Sequence, residues 1–151
     1  MTSGTADESG FVRSALVPEL LVTDIDASLR FWCGLCGFTI AYERLHEGFD
    51  YLDRDGAQVM LEARGRNRNW ITGALDVPYG RGINLQIAVA DLDPILQSLA
   101  GVDWKLFMPP EEKWYRARDK ETGVRQFLVQ DPDGYLLRFS QRIGERPAAV
   151  R

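Results

Sequence analysis

The chain has 151 residues, 45% of them hydrophobic and 26% charged, with a formal net charge of −4 at pH 7. That balance is ordinary for a globular protein, and the length suits one domain with a real core. It excludes a bilayer-spanning helix, since no apolar run approaches the ~20 residues needed, and argues against nucleic acid, which needs a concentrated basic face.

Met1 to Gly10 is small, polar and acidic, without the basic start and apolar core of a signal peptide. It reads as a disordered lead-in reaching to residue 13. Ala15 to Val22 is short and apolar and reads as a strand. Pro18 lacks an N–H and suits its start, edge or a bulge. Asp24 or Asp26 caps the next helix, which carries Ile25, Leu29 and Trp32 at helical spacing and ends at Gly37. Cys33 and Cys36 lie inside this pattern as Cys-Gly-Leu-Cys. There they pack as small apolar groups rather than as a redox pair at a helix start. The lack of a wider cysteine framework fits a cytoplasmic protein.

Phe38 to Glu43, Phe49 to Asp53 and Ala57 to Ala63 read as three strands, joined by the loop Arg44 to Gly48 and the turn Asp53-Arg54-Asp55-Gly56. The unit is βαβββ. Arg64, Arg66 and Arg68 then cluster with Trp70, as a solvated loop or as a basic loop that closes over a ligand.

A second copy follows. Ile83 to Val89 is a strand, Asp91 or Asp93 caps, and Pro94 occupies the first helical turn, where its missing N–H costs nothing. Leu92, Ile95, Leu96 and Leu99 form the apolar stripe, and Gly101 ends it. Strands follow at Trp104 to Met108, Arg125 to Gln130 and Tyr135 to Gln141. Val22-Thr23-Asp24 and Val89-Ala90-Asp91 are 67 residues apart, whereas Asp53 and Asp131, which open the two Asp-Gly turns, are 78 apart. The 11 extra residues imply an extended loop at Pro109 to Gly123, carrying Trp114 and Tyr115. Residues 143–151 read as a tail.

Asp26-Ala27-Ser28-Leu29-Arg30-Phe31-Trp32, Gly37-Phe38 and the stretch Phe127 to Phe139 around Asp131-Pro132-Asp133-Gly134 give the chain its resemblance to the vicinal oxygen chelate superfamily, the glyoxalase and bleomycin-resistance proteins. The resemblance implies an α+β fold over residues 14–142. Two βαβββ modules, about 14–66 and 80–142, would form curled sheets around a cleft, commonly in a dimer. Enzymes of this family hold a divalent metal at four positions that match Val17, Glu62, Asn84 and Arg138. Val17 has no donor, Arg138 is a cation, and Asn84 is a weak carbonyl donor, so only Glu62 suits such an ion. His46, the sole histidine, falls in a loop.

The resemblance therefore points to the metal-free bleomycin-resistance branch. The expected function is sequestration of an aromatic small molecule, a glycopeptide antibiotic being one instance, in a dimer-interface cleft, without catalysis or cofactor. Tyr42, Phe49, Glu62, Asn84, Trp114, Tyr115 and Arg138 are the expected ligand-binding residues, with Glu62 facing Arg138 across the former metal position. Phe49 and Trp114 match stacking residues of the family. The alternative is a metal-dependent lyase, dioxygenase or thiol transferase. Expected partners are a small molecule and a second copy of the chain, not a membrane or nucleic acid.

Overall fold

Asp24 Oδ1 accepts the Ala27 amide at 3.1 Å, and this cap decides where the first strand gives way to helix. The computed structural model of the chain describes residues 11–150, which divide into two units between Val77 and Pro78. The acidic segment 1–10 and Arg151 lie outside the described residues.

The first unit contains β1 (Glu19–Val22), α1 (Ile25–Leu29), β2 (Thr39–Arg44), β3 (Phe49–Arg54) and β4 (Ala57–Ala63). Helix α1 runs on as a π-helical segment, Arg30–Leu35. The sheet order is β1-β4-β3-β2, with β1 parallel to β4 and the other pairs antiparallel. Side chains alternate along the strands. Leu20, Val22, Leu52, Val59 and Leu61 are buried together with Phe31, Trp32 and Phe38. Trp32 meets the Phe38 ring edge-on at 5.1 Å between centroids. Each fully buried side chain of this size contributes roughly 1.5–3 kcal/mol.

Strand β1 starts four residues later than the apolar run suggests. The Pro18 carbonyl accepts the Met60 amide at 2.9 Å, but proline cannot donate in return, so the ladder begins at Glu19. The chain before it follows the sheet all the same. Gln58 Nε2 donates to the Val12 carbonyl (2.7 Å), the Ser14 amide donates to Gln58 Oε1 (2.8 Å), and Phe11 meets the Tyr51 ring edge-on at 5.2 Å. The expected loop after β2 holds a short 3-10 turn, Leu45–Glu47. Asp55 and Gly56 both take positive φ (50° and 92°), as a two-residue hairpin turn requires.

The second unit contains β5 (Asn84–Ala88), α2 (Asp93–Gly101), β6 (Leu106–Ala117), β7 (Lys120–Gln130) and β8 (Leu136–Pro147), in the sheet order β5-β8-β7-β6. Strand β5 is parallel to β8 and the rest are antiparallel. Ile87, Phe127, Val129, Leu137 and Phe139 are buried with Leu92, Ile95 and Leu99. The Phe127 and Phe139 rings stack at 5.4 Å. The second Asp-Gly turn is built differently from the first. Asp131 Oδ1 accepts the amides of Asp133 (3.0 Å) and Tyr135 (2.9 Å), so a buried carboxylate organises it.

The fold is α+β with two βαβββ units, as expected, but the second unit corrects one expectation. Pro109 to Gly123 is not a loop. It is most of a long hairpin whose register runs from Glu111↔Gln126 to Ala117↔Lys120. Pro109 and Pro110 suggest a break, yet β6 is an edge strand and the ladder is irregular between Met108 and Glu111, so their missing amides disrupt little. Strand β8 extends to match, pairing Pro147 with Lys120, and so runs through part of the segment read as a tail.

Candidate functional site

The two faces of the first sheet differ in chemistry. One carries the helix. On the other, the ladders align Glu19 with Met60 and Tyr51, and Leu21 with Glu62 and Phe49. Tyr42 pairs with Tyr51, and Arg44 with Phe49, so they share this face. The arrangement follows from the two-residue period of the strands and needs no unusual backbone.

Glu62 stands on an interior strand and is 6% accessible. Its diagonal neighbour on the same face is Glu19, on the edge strand. Loss of water around the Glu19 carboxyl, then the hydrogen bond and negative charge of Glu62, push its pKa up to about 7, with Arg44 pulling the other way. Glu19 is exposed as a residue, so the shift belongs to the end that leans on Glu62.

Two cavities meet at this pair. One, of about 270 Å³, is lined by Glu19 and Glu62 together with Val17, Leu21, Met60 and, at its rim, the largely exposed Trp70. The other, of about 360 Å³, adds Arg44, Asn67 and Arg68. The residues around Trp70 read from sequence as a basic loop thus supply cavity wall. The Arg68 guanidinium lies 5.1 Å from the Trp70 ring centroid, and Arg44 lies 3.8 Å from that of Phe49 while pairing with Glu47. Both cations already rest on an aromatic face.

Of the expected ligand-binding residues, the structure brings Tyr42, Phe49 and Glu62 onto this one face. Phe49 is buried under Arg44, and Tyr42 stacks on Tyr51 at 5.0 Å with the Arg13 guanidinium donating to its hydroxyl at 3.0 Å. Asn84, Tyr115 and Arg138 share the corresponding helix-free face of the second sheet. There Arg138 Nη2 donates to Gln86 Oε1 at 2.7 Å, while its buried Nε has no partner. Gln126 Nε2 donates to Tyr115 Oη at 2.7 Å and to Glu111 Oε1 at 3.1 Å. Trp114 does not join them. Adjacent residues of a strand point to opposite faces, and its ring lies over Gly123, with the Arg146 guanidinium 4.2 Å from its centroid.

Glu19 is absent from the residues expected from sequence, whereas Trp70 enters there only as part of the basic loop. Glu19 alternates with Val17 and Leu21, so its place beside Glu62 was available once β1 and β4 were paired in register. Trp70 lies beyond any strand, and nothing in its spacing marks it as cavity wall.

Cys33 and Cys36 are thiols rather than a disulfide, and Cys36 is buried. Burial, with Asp50 adding negative charge, pushes the Cys33 thiol up. That is opposite to the shift a reactive thiolate needs.

A four-stranded sheet of one topology occurs once in each unit beside a short helix, with carboxyl and aromatic groups on its helix-free face, the plan of a vicinal-oxygen-chelate protein. A family model described as "Glyoxalase/Bleomycin resistance protein/Dioxygenase superfamily" matches residues 15–139, and the chain belongs to that superfamily. TioX from Micromonospora sp. ML1 is 22% identical, with 87% of this chain and 100% of that one covered at a TM-score of 0.66. A bleomycin-binding protein in complex with bleomycin is 22% identical over 85% of this chain and 98% of its own, with a TM-score of 0.55. Both show the shared fold. A superfamily member from Vibrio splendidus 12B01 is 38% identical over 82% of this chain and 94% of its own, with a TM-score of 0.37. No curated protein matches the chain in sequence.

The donor set does not fit the divalent ion held by the family's enzymes. Val17 presents only methyl groups to the cavity and Arg138 brings a cation. Among the described residues, no group of three or more histidine, cysteine, aspartate or glutamate side chains could hold a metal. Glu62 and Glu19 together offer two carboxyls, and with the Glu19 carboxyl raised to about 7, proton competition weakens such a site.

Proposed function

We propose that this chain is a small-molecule-binding protein of the bleomycin-resistance kind, which holds an aromatic ligand without transforming it. The observation that carries the reading is the first-unit cavity, where the Trp70 indole and the apolar side chains of Val17, Leu21 and Met60 stand beside the Glu19–Glu62 carboxyls. An apolar wall with a few convergent polar groups is what a small ligand requires. The donor chemistry there does not suit the divalent ion of the family's enzymes. That a neighbour of this fold binds bleomycin supports the class of function and leaves this chain's ligand to experiment.

The protein works as a homodimer in the cytoplasm, sequestering its ligand from a cellular target. Edge strands β1 and β2 of the first sheet, and β5 and β6 of the second, offer unpaired backbone groups that a second copy can cover. Size-exclusion chromatography with light scattering at micromolar concentration tests this, and a monomer there overturns it.

Ligand binding is tested by titrating purified protein with bleomycin and a panel of flat heteroaromatic compounds. Tryptophan emission and calorimetry supply the readouts, with Trp70→Phe as control. Saturable binding that weakens about tenfold or more in Trp70→Phe supports the reading. Stoichiometric bound metal that is lost in Glu62→Ala, together with turnover of any panel compound, overturns it in favour of a metal-dependent enzyme.

A further inference from the structure

We propose that strand β6 pairs antiparallel with β6 of a second copy of this chain, joining the two second-unit sheets into one across a two-fold axis at Trp114. The inference rests on the preceding reading of the protein as a homodimer, and names the edge and the register that join the copies.

The sheet of the second unit runs on past its helix. Next to α2, Arg125 Nη1 donates to Asp93 Oδ1 at 2.8 Å, and the Leu92 amide donates to Gln141 Oε1 at 3.0 Å. Beyond those contacts β6, β7 and β8 continue as a three-stranded arm, paired as far as Ala117↔Lys120 and Lys120↔Pro147. Strand β6 is the outer strand, and from Glu111 to Ala117 every residue is exposed except the half-buried Trp114. One side of its backbone therefore has no ladder partner within the sheet, and such an edge accepts a further strand.

The side chains leave that edge clear. Gln126, on the neighbouring strand, holds Glu111 and Tyr115 inward by donating to both. The Trp114 ring lies over Gly123. Arg116 donates from Nε to the Arg118 carbonyl and from Nη1 to the Ala149 carbonyl, which leaves Nη2 for a carboxylate. Glu112 and Lys113 are exposed and enter none of the ion pairs among the described residues.

Charge selects the register. A two-fold axis perpendicular to a sheet opposes residues that share a face, so opposed residue numbers differ by an even number. With the axis at Trp114, Glu112 of each copy meets Arg116 of the other, and Lys113 meets the ring of Tyr115. An axis at Lys113 would oppose two lysines, and one at Glu112 two glutamates. An axis at Tyr115 would set Glu112 against Arg118, which has left the strand with φ of 62°. The Trp114 register also spans Glu111 to Ala117, the residues that pair regularly with β7. It leaves outside the new ladder Pro109 and Pro110, which have no amide to give.

Light scattering over a dilution series, read as a dimer dissociation constant, compares the wild type with Glu112→Arg, Arg116→Glu and the double variant. Each single change opposes like charges twice in the dimer and should weaken association by about fivefold or more, whereas the double change should restore it. Residues 112 and 116 stand about 13 Å apart along one strand, too far to pair within a copy, so rescue reports a contact between copies. In Trp114→Cys, mild oxidation should link two copies through residue 114. Circular dichroism melts check that each variant is folded. A wild-type monomer at micromolar concentration overturns both this inference and the homodimer reading. A wild-type dimer that survives both single changes overturns this inference and leaves the homodimer joined elsewhere. Weakening without rescue in the double variant, or a folded, dimeric Trp114→Cys that does not cross-link, overturns the register.

Discussion

Glu19 and Glu62 are diagonal neighbours on the parallel β1–β4 pair, Glu19 standing opposite Met60 and Glu62 opposite Leu21, and Glu62 helps to raise the Glu19 carboxyl. The contact has a consequence for stability. A carboxyl whose folded pKa exceeds its unfolded value binds its proton more tightly when folded. Its contribution is complete below the unfolded pKa, near 4.5, and is lost as pH rises through about 7. Asp50, raised to about 6 by burial and then by Glu43 and Asp26, acts in the same sense over a lower window. The urea midpoint should therefore be higher at about pH 5 than at about pH 8. Glu19→Gln should raise the midpoint at the higher pH and reduce the difference. A midpoint that rises with pH would contradict the contact.

Trp114 and Gly123 form a second close relationship. A Cβ at residue 123 would stand 2.7 Å from the indole. Gly123→Ala should cost about 1–3 kcal/mol, the usual range for overpacking. Removing the ring as well should recover part of that loss, so Trp114→Ala with Gly123→Ala is less destabilising than the sum of the single changes. Strict additivity in urea unfolding would show that the ring does not rest on the glycine.

The two Asp-Gly turns should respond unequally to alanine. Gly56 has φ of 92° with open space around it, so Gly56→Ala meets only the conformational penalty, roughly 1–2 kcal/mol. Gly134 has φ of 98°, and its Cβ would approach Pro78 to 2.4 Å. Gly134→Ala adds a backbone collision to the same penalty and should cost at least about twice as much. Thermal melts of the two variants at matched pH provide the comparison.

Thiol labelling near neutral pH should be slow. Cys36 is buried, and the Cys33 thiol is pushed up by burial and by the charge of Asp50. Asp50→Asn should accelerate labelling of Cys33 without exposing Cys36. Rapid reaction of either thiol in the folded wild-type protein would restore the redox reading of Cys-Gly-Leu-Cys.

Much of the architecture was legible because it depends on short-range chemistry. Ala57 to Ala63 reads as a strand and is one with the same bounds, since a short apolar run after the Asp-Gly turn marks it locally. The Asp24 cap and the positive-φ glycine at 56 are likewise local requirements. The long β6–β7 hairpin was hidden because β6 is mostly exposed, so no hydrophobic alternation announces it, and Pro109-Pro110 reads as a break unless β6 is known to lie at an edge.

The same division holds at the site. Sequence alone determined the doubled βαβββ plan, because it follows from residue type and position in a repeating pattern, and the family resemblance matched Val17, Glu62 and Arg138 to the metal positions. Only the tertiary structure decided which residues accompany Glu62. Strand register brings Glu19 beside it, the chain after β4 sets Trp70 into the same cavity, and the pleat turns Trp114 away from Tyr115 onto a glycine. Carboxyl proximity, ring packing and cavity lining depend on distances of a few ångströms between residues that are tens of positions apart. Those distances exist only once the strands have paired.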